Sequence, residues 1–500
     1  MSLALPSTTA NILKATVWTS GAIILVRVFF LLSSVVTAKL LSPEDFGFIG
    51  IAGTLFMLIN TASATGIDSF LIFKSEPDQN TINTAFTLHF IVCTLFALLI
   101  MGLGFVVSDF YKQPALKEIL IYAGLAFWVN TIGRIPRALL VKAMQQQRLA
   151  ILDVSVNFLN ALLIMALAFG GFRYLSYVIP MLVSQLICMA GLFGMAKYPF
   201  RGGFSKPAGR EILGYSKGFM PQTLLCDFLY QADYVIGGLC LSATLLGYYY
   251  FGFEKAFLVA LLIRGLTEQV FFPVFSKTQN DPALLKKQYF QLSSHLMLAL
   301  FPGLLLLTAF SKELLSLIYG NQWLPSLFTF QGILIFCLLK ILYDVSITLL
   351  NATGKTGQTL RHFLWVTPPT LFMFYIGSTY GGLWGLTTAT ILAHGFAAFW
   401  MMFRIQHCFL WPVTEQLLHL FKHLALLILP CVALYFLKTQ LESLYLPFYI
   451  VLSLSILCFL ACYFVSVSLI MPDAVKFAMN KLYEQINYFF QSWLSKRRLH

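Results

Sequence analysis

Apolar runs of about twenty residues, separated by short polar breaks, follow one another along almost the whole chain. The candidate spans are 15–38, 46–72, 83–107, 116–140, 151–170, 174–196, 213–240, 245–272, 289–318, 325–351, 359–379, 382–404, 421–438 and 446–471. Each can cross a bilayer as a helix, because about 20 residues at about 1.5 Å rise cover the hydrocarbon core. The breaks carry turn chemistry: SEPDQN, YKQP, FGGF, YPFRGGFSKPAG, TQNDP, YGNQW, NATGKTG, STYGG and HCFLWP. Barrel strands would read as alternating segments of about ten residues instead. The pattern predicts an all-α polytopic membrane protein of about fourteen transmembrane helices. The first run is too long for a signal-peptide core and is expected to stay in the chain.

Composition agrees. The chain is 59% hydrophobic and 11% charged, with a mean hydropathy of +0.80. That is too few charges to coat a soluble surface, where about 25% is usual. The cysteines show no CxxC spacing, and several lie inside apolar runs, as Cys93, Cys188, Cys337, Cys431 and Cys462 do. They read as small apolar residues, so neither a metal site nor a disulfide framework is expected. No GxxxxGK[ST] phosphate loop is present and no cofactor is expected.

The basic residues set a side. With the N-terminus in the cytoplasm, the cytoplasmic loops hold Arg137, Lys142, Arg148, Lys197, Arg201, Lys206, Arg210, Lys217, Lys277, Lys286, Lys287, Lys355, Arg361, Arg404 and Lys422. The opposite side holds only Lys39, Lys112, Lys117, Arg173, Lys312 and Lys438. This bias places both termini in the cytoplasm. The net charge of +13 then follows from topology and anionic lipid, and needs no nucleic-acid partner. In 473–500, Val475, Met479, Leu482, Ile486, Phe489 and Trp493 form one apolar face before SKRR. This reads as a basic amphipathic helix on the cytoplasmic membrane surface.

One segment occurs twice. LLSPEDFGF (40–48) is echoed 200 positions later by CLSATLLGY (240–248), with Leu41, Ser42 and Gly47 recurring as Leu241, Ser242 and Gly247. DFYKQP and LIYGNQW form a weaker echo before helices 4 and 10. Both halves therefore enter the membrane from the same side, as parallel repeats with a substrate path between them. The expected organisation is an N-lobe at 1–197, an inter-lobe loop at 198–212 and a C-lobe at 213–404. Two further helices at 421–471 and the tail at 473–500 follow. In the first copy Ser42 and Pro43 stop helix 1, and Glu44 and Asp45 favour the start of helix 2. Gly47 and Gly247 allow close helix approach.

The stretches AKLLSPEDFGFIGIA, ADYVIGGLCLSATLLGYYYFGFEKA and YGNQW resemble the polysaccharide-export branch of the multidrug/oligosaccharidyl-lipid/polysaccharide (MOP) superfamily, of the Wzx and colanic-acid or teichuronic-acid exporter type. The likeness runs over about residues 12–470. It implies a V-shaped fold of two six-helix lobes with alternating access, plus two C-terminal helices. It also implies flipping of undecaprenyl-pyrophosphate-linked oligosaccharide across the bacterial inner membrane for surface or exopolysaccharide biosynthesis. The related lipid II flippases use the two extra helices as a groove for the lipid tail.

Ionisable residues at membrane depth are the candidate site. Arg27 lies mid-helix between Ser20 and Ser34 on one polar face. Arg264 lies in helix 8 and Arg134 in helix 4. Guanidinium groups suit a pyrophosphate, which they bind bidentately while keeping their charge. Lipid II flippases also carry arginines in helices 1 and 8, matched by Arg27 and Arg264, but their helix 2 arginine has no counterpart here. Asp227, Asp233, Glu254 and Glu268 are the acidic candidates for proton or sodium coupling. Asp227 sits at the repeat position of Arg27, and Arg264 and Glu268 have helical pairing distance. Arg137 is expected to snorkel to the cytoplasmic surface, and Lys340 with Asp344 to form a self-contained pair. Asp153, Asn157 and Asn160 share a face suited to helix–helix hydrogen bonds. His89, His295 and His394 read as core residues, and the aromatics near predicted interfaces (Trp128, Tyr248, Tyr249, Tyr250, Trp323 and Trp384) as membrane belts.

The partners expected are the lipid-linked substrate, membrane lipid and a polysaccharide polymerase. A drug or cation antiporter of the same superfamily is the second reading and would want an acidic, aromatic cavity; a lipid II flippase is the third. A membrane glycosyltransferase or ligase would need catalytic acids on a sizeable external loop, where the first offers only SPED.

Overall fold

The computed structural model describes residues 21, 25–62, 67–74, 77–143, 145–196, 202–444 and 447–472. The amphipathic segment expected at 473–500 lies outside them. Among the described residues the chain is helical and has no strand. Ten of the described stretches are long and apolar enough to cross a membrane.

Helix α1 covers 25–40. It is followed by α2 (Pro43–Ala62), α3 (Ile67–Phe73), α4 (Gln79–Tyr111), α5 (Pro114–Ile132), α6 (Arg134–Lys142), α7 (Gln146–Phe169), α8 (Leu175–Ala196) and α9 (Lys206–Cys240). Next come α10 (Ala243–Leu266), a π-helical turn (Thr267–Phe271), α11 (Phe272–Thr278), α12 (Pro282–Ala309) and α13 (Ser311–Ile318). A 3-10 turn (Asn321–Ser326), α14 (Leu327–Ala352), α15 (Thr356–Phe409), α16 (Val413–Ala425), α17 (Ile428–Ser443) and α18 (Phe448–Ile470) complete the order.

Local chemistry sets the helix ends. Asp78 caps α4 by accepting from the Thr81 amide at 3.1 Å, and its carboxylate also accepts from the Thr81 hydroxyl. These two bonds, the hydroxyl first, hold the Asp78 carboxyl below its ordinary range. Asp281 caps α12 by accepting from Ala283 and Leu284. Pro114 and Pro282 occupy the first turns of α5 and α12, where no amide donor is needed. One sequence expectation shifts: the span at 289–318 is two helices, because Phe310 breaks α12 from α13. The spans 359–379 and 382–404, both numbered within α15, are two helices joined at Gly382, whose φ 56° and ψ −136° leave the helical region for a conformation open to glycine.

The described chain divides into two compact units. One comprises Met1–Lys255, Lys312–Thr329 and Thr359–His394; the other Ala256–Ser311, Phe330–Gln358 and Gly395–His500.

In the first unit the two copies of the repeated segment pack on each other. A Cβ on Gly47 would overlap the Ala243 carbonyl oxygen, and one on Gly247 the Pro43 carbonyl oxygen. Ser42 and Asp45 form a reciprocal cap: the Asp45 carboxylate accepts from the Ser42 amide (3.1 Å) and hydroxyl (2.7 Å), while the Ser42 hydroxyl accepts from the Asp45 amide (3.2 Å). Arg173 approaches the same buried carboxylate at 3.1 Å. The weaker echo is a repeated helix stop, with Lys112 at φ 51° after Tyr111 and Gly320 at φ 102° after Tyr319. Trp323 donates to the Ala38 carbonyl at 2.7 Å and stacks on Phe251 at 3.8 Å. Trp323 and Tyr249 are fully buried, so they fill the core rather than a membrane belt. Their ring area is hidden and each polar atom has a partner.

In the second unit, lysines close helix ends. Lys438 donates to the Ala309 carbonyl (2.9 Å) and Lys355 to that of Cys408 (2.6 Å). Tyr289 and Ser346 share a hydrogen bond of 2.8 Å, and Tyr463 donates to Leu298 at 3.0 Å. The buried Lys340–Asp344 pair is present at 2.8 Å, one helical turn apart as expected.

Candidate functional site

A polar cavity of about 310 Å³ lies in the first unit among α5, α6, α7 and α8. Its polar walls come from Asn130, Arg134, Arg137, Asp153, Asn157, Asn160, Ser184 and Gln185. Arg137 forks onto Asp153, with one N–O contact at 3.0 Å. Its place near a helix end expected to face the cytoplasm predicts snorkelling, but a carboxylate on the adjacent helix offers charge-assisted bonds that water would otherwise have to supply. Asn130 donates to Gln185 at 2.7 Å, and Ser184 to Asn160 at 3.1 Å. Asn157 donates to the Asp153 carbonyl at 2.8 Å. The shared face of Asp153, Asn157 and Asn160 was legible in the sequence. Ser184 and Gln185 were not singled out, and the signal was there: two adjacent polar residues in an otherwise apolar run.

Arg134, a substrate candidate, donates to Asn60 at 2.6 Å and lines this cavity. Arg27 is exposed on α1 and makes no ion pair or hydrogen bond among the described residues. Arg264 is exposed near the end of α10. Glu268 falls on the π-helical turn that follows, and its side chain lies outside the described residues, as does that of Asp227 on α9. The π turn changes the angular step after Leu266, so the pairing distance expected between Arg264 and Glu268 on a uniform helix does not carry over. Glu254 pairs with its neighbour Lys255 at 3.1 Å. Lys255 is buried, with its ammonium 5.1 Å from the Phe30 ring and 5.4 Å from that of Phe251.

Asp233 is 1% exposed and meets no cation among the described residues. It accepts from the Tyr234 amide at 2.9 Å and lies 2.6 Å from the Tyr249 hydroxyl. That hydroxyl is 2.8 Å from Thr390 Oγ1, which is 2.9 Å from the Leu386 carbonyl. His394 is buried between the rings of Tyr230 and Phe374, and His89 beside Cys93, as core residues. Among the described residues no group of three or more His, Cys, Asp or Glu could hold a metal ion.

Residues 36–327 match the family described as polysaccharide biosynthesis protein. The chain is 23% identical over 289 residues to the succinoglycan biosynthesis transport protein ExoT of Rhizobium meliloti (strain 1021), covering 58% of each chain. The match thus spans little more than half of that relative. It is 20% identical to the lipopolysaccharide biosynthesis protein WzxC of Escherichia coli (strain K12), over 75% of this chain and 77% of that one. With the teichuronic acid biosynthesis protein TuaB of Bacillus subtilis (strain 168) it shares 20% identity over 70% and 73%. Among solved structures, the lipid II flippase MurJ in an inward closed conformation superposes with a TM-score of 0.73 at 14% identity, over 91% of this chain and 99% of that chain. An inward-facing multidrug resistance MATE family transporter of the MOP superfamily gives a TM-score of 0.59 at 12% identity, over 79% and 98%. At such identities these likenesses establish the fold.

Proposed function

Because the chain belongs to the polysaccharide biosynthesis protein family, we propose that it is an alternating-access flippase. It moves undecaprenyl-pyrophosphate-linked oligosaccharide repeat units across the inner membrane, with both termini in the cytoplasm. The observation that carries this reading, beside the family, is the guanidinium of Arg27 on an apolar helix, exposed and without an ion pair or hydrogen bond among the described residues. A cation at membrane depth is costly unless a ligand, an acid or water meets it. A pyrophosphate meets it with bidentate bonds. Arg264 on α10 is a second guanidinium suited to pyrophosphate. In this reading residues 1–197 and 213–404 are the two lobes that exchange access, and a polysaccharide polymerase takes the product.

Asp233 is the coupling residue. The chain Asp233–Tyr249–Thr390–Leu386 carbonyl has three contacts of hydrogen-bond length. Three protons fill them when the carboxyl, the phenol and the alcohol each supply one; with the carboxyl ionised only two remain. A protonated Asp233 therefore satisfies the whole chain, and releasing that proton breaks it. This supports a proton as the coupled ion.

The test is deletion of the gene in its native host, with surface polysaccharide and lipid-linked oligosaccharide on the cytoplasmic leaflet both measured. Wild type, Arg27→Ala and Arg264→Ala are reintroduced at matched membrane levels. The expected result is loss of polymer, build-up of the inward-facing intermediate, and rescue by wild type alone. Unchanged polymer with raised sensitivity to cationic drugs would replace the flippase with an antiporter.

A further inference from the structure

We infer that the cavity among α5, α6, α7 and α8 binds one sugar ring of the transported oligosaccharide, separately from the arginines that meet the pyrophosphate. This deepens the flippase reading and rests on it for the source of the sugar.

The inference starts from what the wall groups have left to offer. In the Asn130–Gln185 pair one N–H and one carbonyl oxygen are used. Asn130 keeps its carbonyl oxygen and Gln185 its NH₂ group. Asn160 accepts from Ser184 and keeps its NH₂ group; Asn157 donates within its own helix and keeps its carbonyl oxygen. None of these side chains has a further partner among the described residues. The cavity therefore presents two acceptors and two NH₂ donors. Turning the Asn130 and Gln185 amides over together would exchange their positions but not the count.

A hydroxyl donates one bond and accepts others, so adjacent ring hydroxyls match a wall of mixed amide donors and acceptors. A metal cation or cationic drug does not match it. Asp153 is already held by Arg137, and Arg134 adds positive charge. A pyrophosphate does not match it either, because Arg137 is committed to Asp153 and Arg134 is the one guanidinium in the wall outside that pair. At about 310 Å³ the space is at the lower end for ligand pockets, which start near about 300 Å³. That suits one ring rather than a chain. The polar groups also need an occupant, since amides at membrane depth with half their bonds unmade are costly.

The experiment uses the full chain in lipid nanodiscs, with methyl glycosides of glucose, galactose, mannose, N-acetylglucosamine and glucuronic acid as probes, read by saturation-transfer NMR. At least one glycoside is expected to bind in the millimolar range. Asn160→Leu and Gln185→Leu should weaken it about tenfold or more, with Gly53→Ala, at a position with open space around it, unchanged. If a leucine variant does not accumulate, Asn157→Ala replaces it, since that side chain bonds only within its own helix. No bound glycoside, or binding that the cavity variants leave unchanged, overturns the inference and leaves the cavity to water. Undecaprenyl pyrophosphate without sugar is the second arm. If it binds and the glycosides do not, the flippase reading stands and this one falls. If the glycosides bind at the cavity and the lipid does not, the cavity stands as a sugar site, while the flippase reading and the source it gives the sugar fall.

Discussion

Gly47 and Gly247 meet their partner segments in the same way from opposite sides. Each places its missing Cβ on the carbonyl of the residue four positions earlier in the other copy, Ala243 for Gly47 and Pro43 for Gly247. Contacts that exchange in this fashion are what a local two-fold relation produces. The repeated words in the sequence are thus two halves of one contact, and glycine is required because main chain, not a movable side chain, occupies the space.

Gly47→Ala and Gly247→Ala should each destabilise the protein by about 1–3 kcal/mol, as overpacking does. Gly53 on the same helix as Gly47 has open space around it, so Gly53→Ala should be neutral or stabilising by up to about 1 kcal/mol. Thermal unfolding of the purified variants reads this. Equal melting of Gly47→Ala and Gly53→Ala would remove the close-contact account.

Arg137 and Asp153 should behave as one unit. Each is half-buried, so breaking the pair costs less than for a fully buried one. Arg137→Ala and Asp153→Ala should each destabilise, and the double variant by less than the sum, with a coupling of about 1–3 kcal/mol. Arg137→Lys should not restore it, because an ammonium cannot make the fork. Additive single effects would mean the two do not pair.

Asp233→Asn should leave the fold intact, since the amide can still donate to Tyr249 and accept from the Tyr234 amide. It should remove the dependence of flipping on a proton gradient. Vesicle transport with and without an imposed pH difference distinguishes the two; a gradient response retained by the variant would exclude Asp233 as the carrier.

The α4 cap should loosen in acid. The folded Asp78 carboxyl titrates below its unfolded value, so its contribution is present above the unfolded pKa and is lost as pH falls through the folded one. Amide exchange at Thr81 and Ile82, corrected for intrinsic rate, should be slow at neutral pH and faster in acid. In Asp78→Ala it should be fast throughout, and a pH-independent wild type would contradict the assignment.

Much of this protein was legible in one dimension. The helical class, the ends at Pro114, Asp281 and Gly382, and the Lys340–Asp344 pair all depend on neighbours within a few residues, which periodicity and capping chemistry report directly. The repeat was visible too, as a spacing of 200. The contact between its copies was not, because spacing carries no distance. Arg137 found Asp153 on the next helix, and Asn130 found Gln185 across 55 positions, once particular faces had turned towards each other. Trp323 looked like an interface residue and became core for the same reason. Membrane helices are apolar on every side, so hydropathy cannot rank their faces. The sequence determined that the chain crosses the membrane many times and where polar atoms occur along it. Tertiary packing alone decided which of those atoms share a cavity, and which already hold one another.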